Sequence, residues 1–406
     1  MSNRIRNLQH RFARRQRAAI AAAVVLAVVA SLVVVEAPRI IGDSSDARSA
    51  AELFAQPAGA LKGKPGTLVK AQPLLGAPPL SVAWRVMYRS TDLRGEPILA
   101  TAIVVRPLGW APSGGRTVLA WGHPTTGTAL LCGPSRGFDP FTGMEGLRLM
   151  LTRGYTVVAP DFAGMGTDGP NSYLVGQTTA HTMLDAIRAA QRIPAMQASN
   201  RVVMWGHSQG GAAVLFAAQD APTYAPSLKI LGVAAAAPAA DLNALMKAHQ
   251  NDISGVTIGS YAFPAFQSVY GANTPGLRLS DVLSPAAIRN LPEMNALCLL
   301  PNLSRLHTIG QPLVGNFFTQ DPTATQPWAR LLAENSAGQV PISAPVFIAQ
   351  GESDKLIPPA VTAAFVKHER ALGMDVTFNR VPFATHSTIA YLTLPALNNW
   401  LNRIGA

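Results

Sequence analysis
The sequence predicts an α/β fold: a mostly parallel sheet with helices on both faces and a cap inserted in the later half. Three observations lead there. Short apolar runs alternate with helix-length stretches through residues 116–237 and again through 346–381, the pattern of parallel strands joined by crossover helices. Residues 201–219 read as an apolar strand, a tight turn and an alanine-rich helix. Between residues 242 and 328 the alternation stops, although Phe263, Phe266, Tyr270, Phe317 and Phe318 make the segment too apolar for disorder. An insertion after a core strand is expected over the carboxyl ends of the strands, where such sheets bind ligands.

Residues 1–17 carry Arg4, Arg6, Arg11, Arg14, Arg15 and Arg17 and no acid, and residues 18–35 carry no charge at all. At 1.5 Å per residue that uncharged run spans roughly 27 Å, enough for a bilayer core. The basic residues before it keep the amino end in the cytoplasm and send the rest of the chain out. The run is a membrane anchor or the apolar core of a signal peptide. Retention fits better, because cleavage after Ala37 would leave Pro38 immediately downstream. Residues 36–66, rich in Ala, Pro, Gly and Ser, read as a linker.

The folded core is expected over residues 67–241 and 329–406, with the cap at 242–328. Runs at 67–71, 83–90 and 98–105 read as antiparallel strands, the last two separated by the turn-like Asp92 to Pro97. Strands at 116–121, 155–159, 202–205 and 230–237 follow, with helices at 143–153 and 179–192. Within the cap, 240–249 and 284–291 have helical character. A strand at 346–349, a helix at 360–372 and a strand at 376–381 complete the plan.

The formal charge is +11, but the six amino-terminal arginines carry more than half of it. The remainder has no Lys/Arg cluster interleaved with aromatics, which excludes nucleic acid as a partner. Cys132 and Cys298 are the two cysteines. In an exported chain a disulfide between them is favoured over two buried thiols. No His/Cys/Asp/Glu group has metal-ligand spacing, and no cofactor is implied.

Chemistry concentrates at Gly206-His207-Ser208-Gln209-Gly210. With 34 glycines in the chain, a bare G-x-S-x-G match is weak evidence; the strand before it and the glycine-free helix after Gly211 give it weight. A sharp strand-to-helix turn holds the serine exposed, and glycines two residues to either side remove side chains that would clash. The helix start aims free N–H groups at the place where negative charge would develop. An activated serine needs a base, and the base an orienting carboxylate, in the chain order Ser, acid, His.

The strand at 346–349 runs into Gly351-Glu352-Ser353-Asp354, and Asp354 is preferred to Glu352 because it precedes the apolar Leu356-Ile357. His386 follows the strand at 376–381 and is the one histidine downstream of both the acid and a strand. His123 and His181 precede the turn, and His249 and His307 fall in the cap. His368 lies on a charged helix face with Lys367, Glu369 and Arg370. The oxyanion donors are expected to be the N–H groups of Gln209 and Thr125, with Thr126 next; Pro124 has none to give.

These features together resemble the secretory lipase family of α/β-hydrolases over roughly residues 66–400. The resemblance rests on Tyr88-Arg89-Ser90-Thr91-Asp92, Gly95-Glu96-Pro97, Gly122-His123-Pro124-Thr125-Thr126-Gly127, Pro160-Asp161-Phe162-Ala163-Gly164, Gly206-His207-Ser208-Gln209-Gly210 and Gly351-Glu352-Ser353-Asp354. It implies export, an acyl-binding cap and hydrolysis of lipid or other acyl esters through Ser208, Asp354 and His386. His123-Pro124 stands where His-Gly is usual in related loops. Two alternatives share the fold: acyl transfer to an alcohol, and a catalytically silent cell-surface binding protein.

Overall fold
The computed structural model describes residues 41–46 and 49–406. The run at 18–35, expected to be an anchor or signal core, lies outside them. Among the described residues no helix is long and apolar enough to cross a membrane.

Nine strands form one sheet in the order β1-β2-β3-β5-β4-β6-β7-β8-β9. β1 (Leu68–Leu74), β2 (Ser81–Thr91) and β3 (Pro97–Pro107) run antiparallel, and β3 is antiparallel to β5 (Thr156–Pro160). The remaining pairs are parallel: β4 (Arg116–Gly122), β6 (Ala198–His207), β7 (Lys229–Ala236), β8 (Val346–Gly351) and β9 (Val376–Val381). The expected mostly parallel sheet with helices around it is present.

The central strands are apolar on both faces because both faces are covered. Leu119, Trp121, Val203, Trp205, Ala234, Ala236, Phe347 and Ala349 join one core cluster, which includes the carboxyl-terminal helix Leu394–Arg403. The alternate positions Val118, Ala120, Val202, Met204, Val233, Ala235, Val346 and Ile348 join the other. That second layer is built from the helices Gly176–Gln191, Gln209–Tyr224 and Pro359–Ala371.

Between β7 and β8 the chain leaves the sheet. It forms the helices Leu242–His249, Ile253–Tyr270, Pro285–Asn295, Leu303–Gly310 and Trp328–Glu334. The helix Ile253–Tyr270 buries aromatic and aliphatic residues on several sides, among them Val256, Tyr261, Phe263 and Phe266. A Cys132–Cys298 disulfide ties this insertion to the segment after β4. Beside it, Leu299 N–H donates to Thr126 O (2.8 Å) and Thr128 Oγ1 to Asn295 Oδ1 (2.9 Å).

Two readings of the sequence need correction. Residues 41–46 and 49–54 are helical rather than linker. The Asp46 carboxylate accepts from Leu75 N (3.0 Å) and Gly76 N (2.9 Å), and Leu53 and Phe54 are buried. The Arg136 guanidinium lies 3.8 Å from the Phe54 ring centre. With Lys70 Nζ also donating to Ala55 O (2.6 Å) and Arg85 Nη1 to Asp46 O (3.3 Å), these contacts dock a segment whose composition looks like a tether.

Glu369 is the second. It does not share the solvated face but is 1% exposed, against Gly338 and Phe365, with neither carboxylate oxygen hydrogen-bonded. Burial pushes its pKa up from 4.5 to about 7. The neutral acid is therefore favoured in the folded state: its contribution is complete below about pH 4.5 and is lost as pH rises through about 7, a change of up to about 3 kcal/mol. Glu369→Gln is expected to flatten the pH dependence of unfolding free energy between pH 5 and 8, raising stability at the upper end. Urea titrations at several pH values check this.

Candidate active site
β6 ends at His207 and the next helix begins at Gln209, leaving Ser208 alone in the turn at φ 56°, ψ −118°. This left-handed conformation is costly for a residue with a side chain and persists where the surroundings impose it. They do so here through glycines. A Cβ on Gly206 would stand 2.2 Å from Gly210 O, and one on Gly210 would stand 1.9 Å from Gly122 O. Three backbones thus meet without side chains, and Ser208 is lifted to the carboxyl end of the sheet. Every obstructing atom is main chain, so Gly210→Ala is expected to destabilise the fold by about 4 kcal/mol or more, measurable by chemical denaturation.

The acid and the imidazole arrive from β8 and β9. Asp354 Oδ2 accepts from His386 Nδ1 at 2.8 Å, and Asp354 Oδ1 takes the N–H groups of Leu356 and Ile357, both at 2.9 Å. The carboxylate is fully buried and its orientation is fixed by three donors. A carboxylate only accepts, so the proton resides on Nδ1 and the neutral ring keeps its Nε2 lone pair free. Glu352, the other acid of this loop, turns outward to Arg380 (Oε2 to Nη2, 2.8 Å).

His386 and Ser208 line one cavity of about 400 Å³. The His207 ring, adjacent to Ser208 in the chain, has its centre 4.8 Å from that of His386. No hydrogen bond among the described residues joins Ser208 Oγ to His386. Such contacts commonly tighten only when substrate fills the site.

Gln209 and Thr125 line the same cavity. The Thr125 hydroxyl shares a 2.8 Å hydrogen bond with Tyr173 OH, and burial pushes that phenol's pKa up, so it stays neutral. Beneath the loop, His123 is buried with its ring stacked on Phe162 at 4.2 Å. Its Nδ1 donates to Pro124 O (2.7 Å), and burial lowers its pKa to about 4. The His123-Pro124 pair therefore acts as an uncharged floor.

Several residues of the motifs quoted above prove to be framework. Tyr88 OH donates to Thr182 O (2.9 Å), Ser90 Oγ to Asp185 Oδ2 (2.8 Å), and Asp161 accepts from Thr101 Oγ1 (2.6 Å) and Ser135 N (2.9 Å).

Two features had no signal in the sequence. His207 Nδ1 lies 2.9 Å from Glu145 Oε2, placing a buried polar pair directly behind the serine. His249, on the cavity wall, bonds Asp252 Oδ2 (2.7 Å) through Nδ1 and Leu356 O (2.8 Å) through Nε2. Both partners are acceptors, a pair that only the doubly protonated ring satisfies in full. The insertion is thereby joined to the loop that carries Asp354.

The wall opposite the turn is apolar: Leu242, Leu245, Met246, Ile258, Leu299 and Leu332, with Leu300 and Leu303 toward solvent. Among the described residues, no group of His, Cys, Asp and Glu could hold a metal ion.

Comparison with known proteins agrees with this architecture. The chain is 25% identical over 370 residues to a probable inactive lipase of Mycobacterium tuberculosis, covering 85% of this chain and 79% of the relative. It is likewise 25% identical over 393 residues to lipase 6 of Candida albicans, covering 86% and 80%.

Among solved structures, Candida antarctica lipase A in its closed state superposes with a TM-score of 0.70 at 19% identity, over 87% of this chain and 85% of that one. The rice cell wall degrading esterase LipA of Xanthomonas oryzae also gives 0.70 at 19%, over 84% and 98%. These two likenesses establish the α/β-hydrolase fold. The family model for secretory lipases matches residues 142–404, well over half of the sequence, and the chain belongs to the secretory lipase family.

Proposed function
We propose that this protein is an exported serine hydrolase of carboxylic esters, held to a membrane by residues 18–35, whose substrates carry at least one apolar acyl arm. One observation carries the reading: the Asp354–His386 pair opens, with Ser208, into a single apolar cavity. His386 Nε2 takes the proton from Ser208 Oγ as that oxygen attacks the ester carbonyl. Asp354 steadies the resulting imidazolium, and the N–H groups of Gln209 and Thr125 receive the oxyanion. The proton passes to the departing alcohol, leaving an acyl-enzyme. Water then attacks that acyl group with His386 again as base, and Ser208 is regenerated. The leucine- and methionine-lined wall suits an alkyl chain and offers a second polar group little to bind.

A fluorophosphonate probe tests the nucleophile directly. It should label the chain at Ser208, and failure to label would leave the fold without its activity. That silent version is the second reading, and the name of the mycobacterial relative favours it; the complete Ser, Asp and His set in this chain favours turnover. Acyl transfer would show as ester exchange when a competing alcohol is supplied.

A further inference from the structure
The two ends of the sheet have opposite characters. β4, β6, β7 and β8 all end toward Ser208. β3 runs the other way: Ala102 pairs with Pro160 and Val105 with Val157, which puts Pro107 at the far end. Ser81 pairs with Pro107 and Leu74 with Ala83, so the turn at 75–80 lies there too.

This far end exposes large apolar side chains: Leu75 69%, Leu80 80%, Leu108 51% and Trp110 99%. Leu80 and Leu108 are neighbours, because Leu108 N–H donates to Leu80 O at 2.8 Å, and Leu75 and Trp110 lie on the same two turns. They are also held. Arg116 donates to Gly109 O (2.8 Å) and Trp110 O (3.2 Å), and Leu80 is kept at φ 60° with its side chain in water. Ile41, 68% exposed, joins them: a Cβ on Gly42 would lie 2.6 Å from the main chain of Leu75. Single exposed apolar residues are ordinary, but a held group of five is not.

The sequence names the occupant. The uncharged run ends at Val35, and the six steps from there to Ile41 reach at most about 20 Å. Arg201 and Lys229, paired across β6 and β7 at this same end, are exposed and in no ion pair among the described residues. They suit anionic head groups, as an exposed tryptophan suits the interface.

We infer that the end of the sheet bearing Ile41, Leu75, Leu80, Leu108 and Trp110 docks on the lipid surface into which residues 18–35 insert. This rests on the anchored reading proposed above. Ser208 stands at the other end of the ten-residue β6, about 30 Å from that surface. The cavity therefore draws esters from the surrounding medium and not from the host bilayer.

The test uses the full chain reconstituted in phosphatidylcholine–phosphatidylglycerol vesicles, with and without bromine on the acyl chains. Trp121, Trp205, Trp328 and Trp400 are buried and Trp84 half-buried, so lipid contact should reach Trp110 first. The protein should float with the vesicles, and brominated lipid should quench a part of the emission that is missing in Trp110→Phe. Hydrolysis of a water-soluble ester should be the same in both proteins. Flotation without Trp110-dependent quenching overturns the docking surface and leaves the anchor standing. Failure to float removes both.

Discussion

The Ser208→Ala protein is expected to lose turnover of p-nitrophenyl esters by about 10⁴-fold or more, while its unfolding transition stays within about 1 kcal/mol of the parent. The second half of the expectation is as informative as the first. Ser208 is held at φ 56° by three glycine backbones, and alanine carries the same Cβ into the same strained turn. Only the oxygen is removed. Residual turnover near the parental rate would mean that another group attacks the ester, and the assignment of the site would fall. The fluorophosphonate adduct should vanish in the same variant.

Asp354→Asn is expected to cost about 10⁴-fold in kcat with the fold intact. Asp354 Oδ1 takes two main-chain N–H groups, so the asparagine oxygen would occupy that position and its NH₂ would face His386 Nδ1. That nitrogen must then accept, which moves the ring proton to Nε2, the atom needed to receive the serine proton. The loss should appear in kcat and in the rate of fluorophosphonate labelling, with little change in the affinity for a non-hydrolysable ester analogue. A loss confined to KM would refute the orienting role.

The strands, and the positions of the proposed site residues just past strand ends, were readable from the sequence for one reason: each is a local pattern. Central strands buried on both faces are apolar runs, and Ser208 and Asp354 follow the ends of two of them, while His386 follows the edge strand β9, whose sequence is mixed. What could not be read depends on distant partners. The helix Ile253–Tyr270 contains Gly255, Gly259 and Pro264, which argue locally against helix; burial of Tyr261, Phe263 and Phe266 overrides them. The bond from His249 to Leu356 spans 107 residues, and the contact between Glu145 and His207 joins the segment before the helix Leu147–Thr152 to the end of β6. Glu369 sits in a helix turn of charged neighbours, and only the approach of Gly338 from another loop shows that it is buried. Residues 41–46 and 49–54 look unstructured until the surface they cover is known.

The Cys132–Cys298 bond has a consequence for how molecules reach Ser208. A roof hinged at both of its chain ends could swing away as one piece; this one is also riveted at its middle, beside the strand-end loop that offers Thr125. Wholesale lifting would drag that loop and, on the function proposed above, misplace the Thr125 N–H offered to the oxyanion. Molecules are therefore expected to reach Ser208 through small displacements of single side chains at the cavity mouth, such as Leu300 and Leu303, which already reach into solvent.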